Sequence, residues 1–364
     1  MSRHVFHVVE CFAGGTLEVV RQLANHQARS GWAVTIVHGY RADTPSEAVL
    51  ETLLDQGIDR IPVAFSDRIS PLADLKCLIA LVALFRRQQA SVIHLHSSKA
   101  GLLGRIAARL LRLHGITLFT PHSWSFLRRD VPAWQRSIFL TLEWLGARLG
   151  GTIVACSTRE AELAIDRLRA REVVLLRNGL RLPPATGHAS PESQGGVVCV
   201  GRLTAQKAPW RFAALARQSS DDTAWTWVGD GDPTHGDALR QAGVTVTGQV
   251  SREQVAALVS RARVFVLLSG WEGLPLALIE AQALGIPAVV SDIPGCREVI
   301  EHGINGFVAG SDLEAAGFIN TLLTDTQTWA RMSDAARTLA NERFSPARFL
   351  READQLYQRL TPAH

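Results

Sequence analysis

Short apolar runs alternate with longer stretches of helical period along nearly the whole chain. HVFHVVE (4–10), AVTIVHG (33–39), IPVAF (61–65), SVIHLH (91–96), ITLFT (116–120), GTIVACST (151–158) and VVLLRNG (173–179) are mostly continuous and rich in β-branched residues. That pattern suits strands covered on both faces. Helical periodicity fills the intervals over 17–30, 71–89, 101–113 and 159–169. A Pro-, Gly- and Ser-rich segment without periodicity, 181–196, then reads as a linker. Beyond it the alternation resumes with strands at 197–201, 223–232, 244–250 and 264–268, and Ser251 marks a helix start in SREQ. The tail from 312 is helical, and Ser345 followed by Pro346 opens a last helix through 360. Strand–helix alternation on both sides of one linker predicts an α/β chain of two parallel-sheet domains.

The 364 residues suit two such domains, and 47% hydrophobic with 20% charged residues suits two well-filled cores. The longest apolar run, 78–85, is too short to span a bilayer, and His7 and Glu10 interrupt the first apolar stretch, against a secretory signal. Five scattered cysteines lack the spacing of a zinc site or a disulfide framework, which fits a reducing cytoplasm. The formal charge of +4 is uneven: residues 1–170 hold 20 Lys/Arg against 14 Asp/Glu, and the remainder 18 against 20. A basic first half attracts an anionic membrane surface or phosphate ligands, and no nucleic-acid motif accompanies it. In the helix over 101–113, Arg105, Arg109 and Arg112 recur at i, i+4 and i+7. Both an ordinary solvated face and a docking face for anionic headgroups fit that spacing.

The most informative stretch is 264–309, a strand, a polar loop, a helix, a second strand and a Gly-rich turn. Pro275 falls where a first helical position is expected, and Gly285 and Pro287 end the helix. Glu272 lies in the loop and Glu280 inside the helix, roughly 7 Å further along its axis at ~1.5 Å per residue. Between them a helix N-terminus offers unpaired N–H groups, a seat for phosphate. One carboxylate can then reach hydroxyls on each side of a diphosphate, although a solvated loop Glu and an exposed helix Glu fit the spacing as well. Arg202 and Lys207 follow strand 197–201, and Lys207 is one of only three lysines in the chain. Gly14 and Gly15 follow the first strand, where backbone can approach an anion, although GxGxxG is absent and a dinucleotide oxidoreductase is disfavoured. His122 follows strand 116–120, at the end where parallel sheets bind ligands. His94 and His96 point the same way along their strand. Aromatic residues 124–144 read mainly as core, with a surface role open for several. Asp230 and Asp232 fit a tight turn better than a metal motif.

These residues place the chain in a recognisable pattern. GGTLEVVRQLANHQARSGWAV (14–34), VGRLTAQKA (200–208), VGDGD (228–232) and EGLPLALIEAQALGIPAVVSD with the following EVIEHGINGFVA (272–309) resemble retaining glycosyltransferases of family 4, which have the GT-B fold. HLHSSKAGLLGR (94–105) and TPHSWSF (120–126) are similar to the bacterial branch that builds surface polysaccharides on lipid-linked carriers. The resemblance implies two Rossmann-like domains facing across a deep cleft. These would be 1–175, with 346–364 crossing back to it, and a nucleotide-sugar domain at 176–345. It assigns Arg202 and Lys207 to the donor diphosphate, Glu280 to the ribose and Glu272 to the sugar hydroxyls. It places the amides of Gly273 and Leu274 beside the phosphates, Gly14 and Gly15 under the diphosphate, and His122 in the active site. Implied with these is retention of configuration without a metal or cofactor; for the donor nucleotide UDP is preferred over GDP, although no residue that reads the base stands out. A lipid-linked acceptor and a cytoplasmic position at the inner face of the membrane complete the expectation. Ala208 stands where the family usually has glycine, and Arg177 where proline is common. An epimerase, a transferase for a soluble acceptor and a non-catalytic nucleotide-sugar-binding subunit are the alternatives.

Overall fold

A computed structural model of the protein describes residues 3–41, 44–66, 69–180, 195–219 and 222–361. The expected linker lies outside the described residues at 181–194. The chain divides into two compact units. One comprises the chain up to Gly179 and again from Ala347 onward, and the other Leu180–Pro346, with Arg128–Asp130 assigned to the latter.

In the first unit, strands β1 (His4–Val9), β2 (Ala33–His38), β3 (Ile58–Pro62), β4 (Val92–His96), β5 (Thr117–Thr120), β6 (Thr152–Ala155) and β7 (Val173–Leu175) form one sheet. Its order is β3-β2-β1-β4-β5-β6-β7 and every pairing is parallel. Helices α1 (Gly14–Arg29), α2 (Glu47–Leu53), α3 (Pro71–Arg87), α4 (Ser98–Leu110), α5 (Ala133–Arg148) and α6 (Thr158–Asp166) make the crossovers. Ser157 caps α6, its side chain accepting from the Glu160 amide. The C-terminal helix, Pro346–Leu360, buries Phe349, Ala353, Leu356 and Tyr357. Strand order reverses between β1 and β4, so the loops leaving these neighbours open a crevice at the sheet's carboxyl edge.

The second unit has the same plan. Strands β8 (Val197–Val200), β9 (Trp225–Val228), β10 (Thr245–Val246), β11 (Val264–Leu267), β12 (Ala288–Ser291) and β13 (Gly306–Ala309) run parallel in the order β10-β9-β8-β11-β12-β13. Here the order reverses between β8 and β11. Helices α7 (Pro209–Gln218), α8 (Pro233–Gln241), α9 (Arg252–Arg261), α10 (Leu276–Ala283), α11 (Pro294–Arg297), α12 (Asp312–Thr324) and α13 (Thr326–Phe344) complete it. Ser251 and Gln254 close a reciprocal capping box on α9, satisfying two otherwise unpaired amides.

Several local expectations change. The first helix begins at Gly14 rather than near 17, with Gly14 at φ 54° and Ala13 as N-cap. Pro275 caps α10 instead of occupying its first position. The basic face over 101–113 does not form. Arg105 is buried at 2% exposure and bonds Glu143 Oε2 at 3.0 Å, with its guanidinium 4.1 Å over the Phe119 ring. The reason lies in the sheet contact: a Cβ at Gly101 would meet the Phe119 ring at 2.1 Å, so α4 lies close enough to draw Arg105 inward. Arg112 lies beyond the helix end in the left-handed region, φ 61°.

Candidate active site

In the second unit the two strands flanking the reversal carry the candidate groups. β8 runs into Gly201 and the exposed Arg202, then a short 3-10 turn, Ala205–Lys207. β11 runs into Ser269, Trp271 and Glu272 before α10. Across this junction Lys207 Nζ donates to Glu272 Oε1 at 2.7 Å. The side chains are 16% and 8% exposed, so the pair is largely shielded from water. Gln206 Nε2 donates to the Trp271 carbonyl at 2.9 Å and to Glu272 Oε2 at 3.3 Å, while its own carbonyl accepts from the Gly270 amide at 2.8 Å. The loop is also fixed from behind, because a Cβ at Gly295 would lie 2.6 Å from the Glu272 carbonyl oxygen.

Burial alone would pull the Lys207 ammonium toward neutrality, but the Glu272 carboxylate outweighs it and holds the ammonium above its ordinary value. The site therefore keeps a fixed cation, held against Glu272. Burial pushes the neighbouring Cys199 thiol up to about 12 and the Cys296 thiol up as well, so neither offers a thiolate at neutral pH. Ala208 adopts φ 48° directly after Lys207, the left-handed conformation that glycine adopts without strain. Gly273 and Leu274 are buried at the start of α10. Glu280 lies inside α10 and accepts from Arg252 at 3.1 Å. Asp230 and Asp232 shape a turn: Asp230 accepts from the Gly231 amide, and Asp232 caps α8 through the Thr234 amide.

In the first unit His122 follows β5 with φ 52°, and Ser123 follows at 90°. Ser97, at the end of neighbouring β4, has φ 69°. Non-glycine residues held in this region carry backbone strain, which gathers at functional sites. Gly14 and Gly15 open α1 beyond β1. Behind His122 the sheet buries a polar network that the sequence shows only in part. His96 Nδ1 lies 3.0 Å from His122 Nε2, His96 Nε2 lies 3.1 Å from His7 Nδ1, and His7 Nε2 lies 2.8 Å from Gln27 Oε1. His94 bonds the Tyr357 hydroxyl through Nδ1 at 2.5 Å and Thr120 Oγ1 through Nε2 at 2.8 Å. One nitrogen from each of His7, His94 and His96 falls within 4.8 Å of the others, a grouping close enough for metal ligation. Both nitrogens of every one of these rings are already engaged in hydrogen bonds, which makes the grouping a hydrogen-bonded chain. Burial lowers the basicity of His7 and His122 to about 4, and of His94 and His96 well below the ordinary range, so all four rings are neutral at pH 7. The sequence singles out neither Gln27 nor Tyr357, and His7 only as a polar interruption of the first apolar strand, which was the signal available.

The chain matches the family model described as "Glycosyl transferase 4-like domain" over residues 14–179 and that of "Glycosyl transferases group 1" over 186–339. Among curated proteins it is 29% identical over 320 residues to the UDP-Gal:alpha-D-GlcNAc-diphosphoundecaprenol alpha-1,3-galactosyltransferase of Escherichia coli, covering 79% of this chain and 80% of that one. It is 26% identical over 330 residues to the GDP-mannose:cellobiosyl-diphosphopolyprenol alpha-mannosyltransferase of Xanthomonas oryzae, covering 86% and 85%. Among solved structures, sucrose-phosphate synthase from Thermosynechococcus elongatus superposes with a TM-score of 0.81 at 21% identity, covering 99% of both chains. HepE of Anabaena, in complex with UDP and glucose, gives 0.78 at 19% identity, covering 98% of this chain and 100% of that one.

Proposed function

This chain belongs to the family 4 glycosyltransferases of GT-B fold, and from that premise we propose that it moves a hexose from a nucleotide-sugar to a lipid-linked saccharide with retention of configuration. The observation that carries this reading is the Lys207–Glu272 pair at the strand-order reversal of the second unit, beside the N-terminus of α10. Departure of a nucleoside diphosphate builds charge on a phosphate oxygen. Lys207 and Arg202, with the amides near Gly273 and Leu274, can stabilise that charge as it grows, without a divalent ion. Lys207 donates through one of its three hydrogens to Glu272, leaving two for phosphate oxygens. Glu272 in turn has lone pairs left for sugar hydroxyls, and Glu280 can accept from a ribose. Gly14 and Gly15, under the diphosphate, and His122, as the active-site histidine, take their roles from the family resemblance. The relatives' names support a diphospholipid acceptor; they include both UDP- and GDP-sugars, and the E. coli relative favours UDP.

No described helix is long and apolar enough to cross a membrane. For peripheral attachment to the cytoplasmic face we place the bilayer against α3 and α5, both of which pack against α4. Trp134 (66% exposed), Ile138 and Leu145 form one outward stripe on α5, and Leu72, Leu75 and Ile79 another on α3. Arg136, Arg159 and Arg167 line an apolar-floored groove of about 340 Å³ beside α5. Apolar stripes beside cations suit an anionic lipid surface. The reading is tested by thermal shift with a panel of UDP- and GDP-sugars. One family of donors should raise Tm in the wild type, and Lys207→Ala and Glu272→Ala should lose the shift. Equal shifts in wild type and variants would overturn the site.

A further inference from the structure

The network behind His122 has a direction that can be worked out atom by atom. A neutral imidazole carries one N–H and one bare nitrogen, and an amide oxygen only accepts. Gln27 turns its side-chain oxygen to His7. His7 must therefore carry its hydrogen on Nε2, leaving Nδ1 bare. That bare Nδ1 accepts from His96 Nε2–H, which leaves His96 Nδ1 bare, and this accepts from His122 Nε2–H. The last bare atom is His122 Nδ1. It makes no hydrogen bond to the described residues, and His122 as a residue is only partly buried. His94 stands beside this chain, bonded through Nδ1 to the Tyr357 hydroxyl and through Nε2 to Thr120 Oγ1.

We propose that Gln27, His7 and His96 are positioning residues that hold His122 in its Nε2–H form, presenting Nδ1 as a fixed acceptor for a substrate hydroxyl. The proposal rests on the placement of His122 in the active site. Reversing the polarity requires the Gln27 amide to turn over and every hydrogen in the chain to shift with it. Gln27 thus sets the state of a ring three links away, although it touches neither His122 nor any ligand of it. The rings are sealed among β1, β4 and the C-terminal helix, with His7 and His96 fully buried, so water does not substitute for a missing member.

The test is 15N NMR of the full chain labelled in histidine, with the His122 signals identified by their loss in His122→Ala. His122 should show a protonated Nε2 and a bare Nδ1, with a scalar coupling across the N–H···N bond to His96. A protonated Nδ1, or no such coupling, overturns the proposal. Kinetics with UDP-galactose and membrane lipid extract give a second arm. Gln27→Leu should lower kcat roughly tenfold with KM for the donor within about twofold, as loss of an oriented acceptor predicts. Gln27→Glu, whose ionised carboxylate accepts from His7 Nε2–H as the Gln27 oxygen does, should restore part of that loss at alkaline pH; equal loss in both variants together with a protonated His122 Nδ1 in the NMR spectrum overturns the proposal. If His122→Ala transfers sugar as fast as wild type, the active-site role of His122 falls, and the NMR result still decides whether the chain is ordered.

Discussion

Lys207 Nζ and Glu272 Oε1, 65 residues apart in sequence, meet at 2.7 Å where the strand order of the second unit reverses. A shielded pair of this kind is worth little beyond a well-packed apolar substitute, but removing one partner strands the other charge. Lys207→Met should therefore destabilise the protein by about 2–4 kcal/mol, discounted slightly for residual exposure. The double variant Lys207→Met, Glu272→Gln should recover most of that stability while remaining inactive. Urea denaturation of the four proteins of this cycle measures it; a double variant as unstable as the worse single one would contradict the pairing.

Arg105 and Glu143 make a more deeply buried pair, and here no role in transfer is expected. Glu143→Ala leaves the guanidinium over Phe119 without its counter-charge and should cost about 3–5 kcal/mol. In the fraction that remains folded, KM for the donor should be unchanged. Denaturation and steady-state kinetics on the same preparation separate the two effects.

The buried imidazoles give stability a defined dependence on pH. The unfolded chain takes up protons at histidine below about 6.5, whereas His7 and His122 in the folded protein resist protonation until about 4. Stability is thus fully present above 6.5 and is lost as pH falls through this window, on the order of 3 kcal/mol for one such ring. The coupled rings will not titrate independently. Thermal melts from pH 8 to 4 should show the fall, and His7→Phe should flatten it. A melting temperature constant over that range would contradict the burial of these rings.

Attachment to lipid should depend on the outward stripe of α5. Replacing Trp134 and Ile138 by glutamate should abolish sedimentation with vesicles containing anionic phospholipid and leave thermal stability near wild type, since both side chains are exposed. Undiminished sedimentation would move the contact elsewhere.

The alternation of strands and helices was legible because both sheets are parallel and covered on both faces, which leaves continuous apolar runs in the sequence. Arg202, Lys207 and Glu272 stood out because polar residues directly after such runs occupy the ligand edge of the sheet. Arg105 was misread for a physical reason. Spacing at i, i+4 and i+7 describes one helix face but not whether it meets water, and the deciding partner, Glu143, lies 38 residues further on. The ordered chain behind His122 was hidden in the same way. Its members come from β1, α1, β4 and the C-terminal helix, and only strand adjacency brings His7 beside His96.

The most direct test is transfer of radiolabelled sugar from UDP-galactose, and in parallel from other UDP-hexoses and GDP-mannose, to organic-extractable lipid in the presence of membrane lipid extract. Wild-type protein should move label into the lipid phase from one of these donors, and Lys207→Ala and Glu272→Ala should reduce that transfer at least a hundredfold, as loss of transition-state charge stabilisation requires. Undiminished transfer by either variant, or donor conversion without any acceptor, would contradict a glycosyl transfer built on these two residues.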